Sequence, residues 1–215
     1  MNHPETVSAY LFDFDGTLVN SMPYWADAML QILDQSGVDY PENIIQIITP
    51  MGLHNTCVYL HEQFGIGTDG DDVMRMVEEF ATPLYENEIP AKEFVKEKLL
   101  GLKEEGKILC VLTASPHKWV DPCLKRNGLY DLFREVWTYE DFSTPKTDPA
   151  TYTEAAARLG LAVTDAAFLD DNINACRGAA ESGILTIGVY DETSKDDRPL
   201  FDEVCRRYIN TFEEL

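Results

Sequence analysis

Apolar positions along the chain fall into two rhythms. Short continuous runs occur near 7–13 (VSAYLFD), 107–113 (KILCVLT), 135–138 (EVWT), 166–170 (AAFLD) and 184–190 (ILTIGVY). Runs of this kind suit strands buried on both faces, as in a parallel sheet. Between them lie helical patterns: AKEFVKEKLLGLKEEG (91–106), PHKWVDPCLKRNG (116–128), DPATYTEAAARLG (148–160) and NINACRGAAESG (172–183). Each stops on a glycine, the usual residue just past a helix end. Strand and helix in alternation predict an α/β fold, a doubly wound parallel sheet.

One interval breaks the alternation. From about residue 18 to 90 no strand pattern is evident. Ser21 is expected to cap a helix in which Met22, Trp25, Ala26, Met29 and Leu33 line one face and Gly37 ends the run. Further on, Val73, Met76, Val77, Phe80, Ala81 and Leu84 repeat at helical spacing, with Asp71 or Asp72 as the cap. Stripes of this kind are read as core packing, so the interval is an all-helical insert placed just after the first strand. The expected organisation is a core of residues 1–17 and 91–215 with an inserted helical domain of 18–90.

Composition narrows the setting. The 215 residues suffice for one sizeable core plus an accessory domain, and 45% hydrophobic and 26% charged residues are ordinary for a globular protein. No apolar run approaches the roughly 20 residues needed to span a bilayer. The opening MNHPETVSAY has no basic stretch leading into an apolar core, so a cytoplasmic location is expected. Cys57, Cys110, Cys123, Cys176 and Cys205 are odd in number and widely spaced, which fits buried thiols rather than a disulfide frame or zinc site. A formal net charge of −21 argues against nucleic acid as a partner. Nothing in the pattern sets an oligomeric state.

The chemistry concentrates at predicted strand ends. Asp13 and Asp15 close the first strand, where alternation would put both carboxylates on one side. Thr113 ends KILCVLT, Lys146 follows EVWT, and Asp170 with Asp171 ends AAFLD. Open α/β sheets form their sites outside the carboxyl ends of strands, so four carboxylates, a lysine and a hydroxyl are expected at one edge. Four clustered carboxylates call for a cation, and oxygen-only ligands suit Mg²⁺. Lys146 and Thr113 then offer donors to an anion beside the metal, a set suited to phosphoryl transfer.

In these residues the chain resembles the haloacid dehalogenase superfamily. The resemblance is to the branch with a helical cap after the first strand, the phosphoglycolate phosphatase and beta-phosphoglucomutase-like group. Four motifs match in order: DFDGT (13–17), LTAS (112–115), PKTDP (145–149) and FLDDN (168–172). The resemblance implies a Rossmann-like core, Mg²⁺ as cofactor and a small phosphorylated metabolite as substrate. It implies Asp13 as the nucleophile that becomes an aspartyl phosphate, and Asp15 as general acid/base whose main-chain carbonyl also binds metal. Thr113 and the Ala114 amide match the phosphate-holding position, and Lys146 the residue that neutralises Asp13 and the phosphoryl group. Asp171 matches the main metal ligand of the fourth motif, with Asp170 as a second. Asn20 stands where relatives often carry Asp, and Asp170 where many carry Gly.

Within that resemblance a phosphatase is the expected activity. Halide-removing members lack the second aspartate, which is present here as Asp15. A sugar-phosphate mutase is the alternative; such enzymes hold a second phosphate with basic cap residues, and between 18 and 90 Arg75 is the only arginine or lysine. Receiver domains share the aspartate, threonine and lysine set, but the insert and the Asp-x-Asp-Gly-Thr order argue against them. A binder without turnover remains a further alternative. His54 and His61 are a weak metal pair, GIGTDGDD (65–72) lacks the ligands of a calcium loop, and His117 is expected as a helix-start residue.

Overall fold

The computed structural model describes residues 7–215; residues 1–6, which include most of the stretch read for a leader, lie outside the described part. The chain divides into two compact units. One takes residues up to Asn20 together with Pro90–Leu215, and the other takes Ser21–Ile89.

The first unit is built on a six-stranded sheet. Its strands are β1 (Ala9–Phe12), β2 (Ile108–Leu112), β3 (Glu135–Trp137), β4 (Ala166–Asp170), β5 (Leu185–Val189) and β6 (Arg207–Ile209). Their order is β3-β2-β1-β4-β5-β6, and every pairing is parallel. The first five are the strands expected from the apolar runs. β6 is an addition: RYI is too short and polar to register as a buried run, as suits an edge strand. The helices of this unit are α5 (Val95–Glu104), α6 (His117–Arg126), α7 (Pro149–Arg158), α8 (Ile173–Ser182) and α9 (Arg198–Val204).

Burial explains the absence of alternation. All four β1 residues and all five of β4 are buried. One face of the sheet, with Leu11, Cys110, Leu112 and Phe168, packs on Tyr152, Ala155, Ala175 and Ala179 of α7 and α8. On β1 the alternate residue Phe12 meets Phe133 and Phe212, with ring centroids 6.2 Å away in each case. Each such fully buried large side chain contributes about 1.5–3 kcal/mol. Cys57, Cys110, Cys123 and Cys176 are buried and Cys205 is half-buried, and none of the five is in a disulfide.

The second unit holds α1 (Met22–Ser36), α2 (Ile44–Ile48), α3 (Leu53–Phe64) and α4 (Gly70–Asn87). Two expectations need correction here. Ser21 occupies the N-cap position of α1 with a helical backbone, and its buried hydroxyl makes no cap bond. The cap of α4 is Asp69, whose carboxylate accepts from Asp72 N at 2.8 Å; Asp71 and Asp72 lie inside the first turn, where negative charge complements the helix dipole. The buried ridges are also narrower than the stripes suggested. In α1 they comprise Ala28, Met29, Ile32 and Leu33, and in α4 Val73, Val77, Ala81 and Tyr85. Among the described residues no helix is long and apolar enough to cross a membrane.

Candidate active site

The sheet order sets β1 beside β4 at the point where successive connections turn to opposite sides, the place where open α/β sheets form their sites. Asp13 N donates to Leu169 O at 2.9 Å, one rung beyond the end of β1. Asp13 and Asp170 therefore leave the sheet as neighbours. One carboxylate oxygen from each of Asp13, Asp170 and Asp171 lies within 4.8 Å of the others, and all three residues are buried.

Lys146 answers part of that charge. Its ammonium donates to Asp13 Oδ1 and, at 2.7 Å, to Asp170 Oδ2. The other Asp170 oxygen accepts from Asn172 N at 2.7 Å. Burial first, then Asp170, push the Asp13 carboxyl up to about 8 against the pull of Lys146. Burial, Asp170 and Asp13 likewise hold Asp171 well above the usual carboxylate range, with Lys92 opposing. Burial disfavours the Lys146 ammonium, but the carboxylates of Asp13 and Asp170 outweigh it and hold this lysine above its ordinary value. Full ionisation would set three carboxylates against one ammonium, and all three are oxygen donors. That donor set fits a hard divalent cation.

The residues after β1 shape the cluster. Gly16 has φ +71°, and a Cβ there would collide with the Asp171 carboxylate. Thr17, fully buried, donates from Oγ1 to Asp171 Oδ1 at 2.8 Å and accepts from Asp171 N at 3.2 Å. The glycine lets the motif approach β4 and the threonine fixes the carboxylate it approaches.

Asp15 lies outside the tight group of three but beside it, near enough that its charge helps to raise Asp13. β1 stops at Phe12, and Leu18 N and Val19 N both donate to Phe14 O at 3.0 Å. This turn ends the alternation before residue 15. The Asp15 carboxylate accepts from Ser115 Oγ at 2.5 Å, outside the group of three. Thr113, buried past the end of β2, donates from N to Trp137 O at 3.0 Å and accepts at Oγ1 from Ser115 N at 3.0 Å. Ala114 between them is exposed.

A family model described as haloacid dehalogenase-like hydrolase matches residues 10–189. The chain belongs to that family. Hexitol phosphatase B of Escherichia coli is 26% identical over 201 residues, covering 92% of this chain and 90% of the relative. Pyrophosphatase PpaX of Bacillus velezensis is 30% identical over 187 residues, covering 85% and 83%. Among solved structures, CbbY of Rhodobacter sphaeroides in complex with xylulose-(1,5)bisphosphate superposes with a TM-score of 0.84 at 20% identity, over 97% of this chain and 96% of that one.

Several residues that shape the site of this haloacid dehalogenase-like hydrolase carried no assignment from sequence. Ser115 follows Thr113 by two positions in LTAS, so a second hydroxyl in the motif was the available signal. Asn172 caps α8, accepting from Asn174 N at 2.9 Å, as an Asn before a helical run can. Lys92 lies 2.9 Å from Asp191 Oδ2, a pairing with no sequence signature. His117, by contrast, was expected as a helix-start residue; it begins α6 between two carboxylates, Asp121 at 3.0 Å and Asp141 at 3.2 Å. The His61 ring nitrogen Nδ1 lies 3.0 Å from Ile66 O, a backbone partner.

Proposed function

We propose that this chain is a Mg²⁺-dependent phosphatase that hydrolyses a small phosphomonoester through an aspartyl phosphate on Asp13. Its enzymatic class is phosphoric monoester hydrolase. The observation that carries the reading is the Asp13 carboxylate gripped by Lys146 beside Asp170 and Asp171.

In this reading an Asp13 oxygen attacks phosphorus, and the bond from phosphorus to the leaving oxygen breaks. Lys146 neutralises Asp13 and the phosphoryl group. Thr113 and the Ala114 amide hold the phosphoryl oxygens; the bond that Thr113 Oγ1 accepts from Ser115 N orients its hydroxyl. Asp15, kept outside the acidic group by Ser115, is the carboxyl left for proton work. It gives a proton to the leaving oxygen and then takes one from the water that attacks the phosphoenzyme. Phosphate departs and Asp13 is regenerated. The carboxylates of Asp13, Asp170 and Asp171, with the Asp15 carbonyl, would hold Mg²⁺, which supplies charge neutralisation at the phosphoryl oxygens.

Residues 18–90 serve as the cap domain in this reading and 1–17 with 91–215 as the core. Twelve acidic residues against one arginine in the insert disfavour polyanionic substrates. The same scarcity of cationic groups favours hydrolysis over a mutase that must grip a second phosphate. Incubation with p-nitrophenyl phosphate and Mg²⁺ tests the reading. Release of p-nitrophenol above a no-enzyme control is expected, and binding without turnover would sink it. A screen of phosphorylated metabolites should release phosphate from monoesters; an isomerised sugar phosphate among the products would favour the mutase.

A further inference from the structure

Lys146 sits in an irregular segment, yet its ammonium must be held steady against two buried carboxylates. The segment is gripped from α7. Asp148 N donates to Pro145 O at 2.9 Å, and the Thr151 hydroxyl donates to the same carbonyl at 2.8 Å. The Tyr152 hydroxyl donates to Lys146 O at 2.6 Å and lies 3.0 Å from Ala175 O on α8. Tyr152 is fully buried.

The same ring also supports the lysine from below. It meets Phe168 edge-on with centroids 4.8 Å apart, and Lys146 Nζ stands 5.6 Å from the Phe168 ring centroid. Phe168 and Asp170 are two apart on β4, so both face the side where Lys146 lies. Helix α8 also presents Gly178, where a Cβ would fall 2.6 Å from the Thr147 carbonyl and 2.8 Å from Lys146 O. The backbone of Lys146 is thus met by a hydroxyl on α7 and a glycine on α8.

On the reading above that Lys146 meets the phosphoryl group, the geometry points to Tyr152 as a positioning residue that acts through the Lys146 carbonyl. A phenol in this place does more than fill a core. The ring alone would pack on Phe168, but the hydroxyl bonds the one carbonyl whose side chain reaches Asp13. Loss of that bond lets the segment drift, and a displacement of about 1 Å at a reacting group can lower a rate by about 100-fold.

The test uses Tyr152→Phe, which keeps the ring and removes the hydroxyl. Affinity for inorganic phosphate in the presence of Mg²⁺ is measured by calorimetry, in the native background and in Lys146→Ala. Weaker phosphate binding by about 10-fold or more is expected in the native background, and no further loss in Lys146→Ala, where there is no ammonium to place. In turnover of p-nitrophenyl phosphate, kcat should fall more than KM changes. Gly178→Ala, which sets a Cβ against the same carbonyl, should give the same loss if Tyr152→Phe fails to fold. Thr153→Val, on the exposed face of α7, should leave phosphate affinity unchanged.

A lower melting temperature with unchanged phosphate affinity would overturn the assignment, because it would leave Tyr152 a packing role only. Losses that add in the Lys146→Ala background would overturn it too. Wild-type protein that binds phosphate but does not turn over p-nitrophenyl phosphate would instead defeat the hydrolase reading, and the calorimetric cycle would still decide the role of Tyr152.

Discussion

Asp13 and Asp15, two residues apart, are held by different partners: Lys146 grips the first and Ser115 the second, at 2.5 Å from Ser115 Oγ. The turn over Phe14–Val19 begins between them. Had β1 continued in extended form, both carboxylates would face one side and compete for one cation. As folded, Asp13 belongs to the buried group and Asp15 to the half-buried Ser115 after β2, still near enough for its charge to raise Asp13. Two carboxylates in unlike surroundings are suited to unlike chemical roles.

That division predicts distinct phenotypes. Asp13→Asn should abolish hydrolysis of p-nitrophenyl phosphate with the fold intact, since it removes the attacking oxygen and keeps the side-chain shape. Asp15→Asn should still form a phosphoenzyme and slow its breakdown, visible as labelled phosphate that chases off slowly. Near wild-type turnover by Asp13→Asn would refute the nucleophile assignment.

Gly16 offers a steric test of the same motif. Its φ of +71° and the Asp171 carboxylate lying where a Cβ would stand leave no room for a side chain. Gly16→Ala adds left-handed strain of about 1–2 kcal/mol and displaces a carboxylate of the buried group. A lower urea midpoint together with a loss of turnover larger than that midpoint shift explains is expected.

What the sequence disclosed follows what local pattern can encode. The four long strands β1, β2, β4 and β5 announce themselves because burial on both faces demands mostly apolar residues. β6, with Arg207 and Tyr208 on an edge, meets no such demand. Asp13, Asp170 and Asp171 could be gathered on paper because strand ends in this sheet class meet at one edge. The Ser115 partner of Asp15 could not be read, since it depends on a turn whose closing bonds are to Phe14 O. Tyr152 reads as one more aromatic in an alanine-rich helix, and only the folded packing of α7 on α8 and on the Lys146 segment brings Ala175 O and Lys146 O to its hydroxyl.

Thr17 should matter for stability as well as for the site. It is fully buried and exchanges two hydrogen bonds with Asp171, as donor to Oδ1 and acceptor from N. Thr17→Val keeps the volume and leaves both partners unsatisfied, which costs about 1–3 kcal/mol for such a group. Chemical denaturation should register that loss, and Thr17→Ser should recover most of it. Equal midpoints for Thr17→Val and wild type would contradict the importance given to this pair.

The raised carboxyls make metal and pH interdependent. With no cation bound, burial and then Asp170 push the Asp13 carboxyl up to about 8 from its ordinary 3.8. Between those values the folded chain retains a proton that the unfolded chain has lost, so stability falls as pH rises across that window. Asp171, raised by the same burial and the same neighbours, acts in the same direction. Lys146 is also raised, but its contribution is lost only as pH climbs past its ordinary 10.5, above the window. His117, held above 6.5 by Asp121 and Asp141 despite some burial, loses stability in the same direction and must be separated. Asp13→Asn does so, because it removes the carboxyl and leaves His117. The melting temperature of EDTA-treated protein should therefore drop from about pH 5 to about pH 8, and less steeply in Asp13→Asn. A cation competing with that proton stabilises the ionised cluster most, so Mg²⁺ should raise the melting temperature more at about pH 8 than at about pH 5. EDTA should also abolish turnover. Equal Mg²⁺ increments at both pH values, with slopes matching between wild type and Asp13→Asn, would place the cation somewhere other than against Asp13.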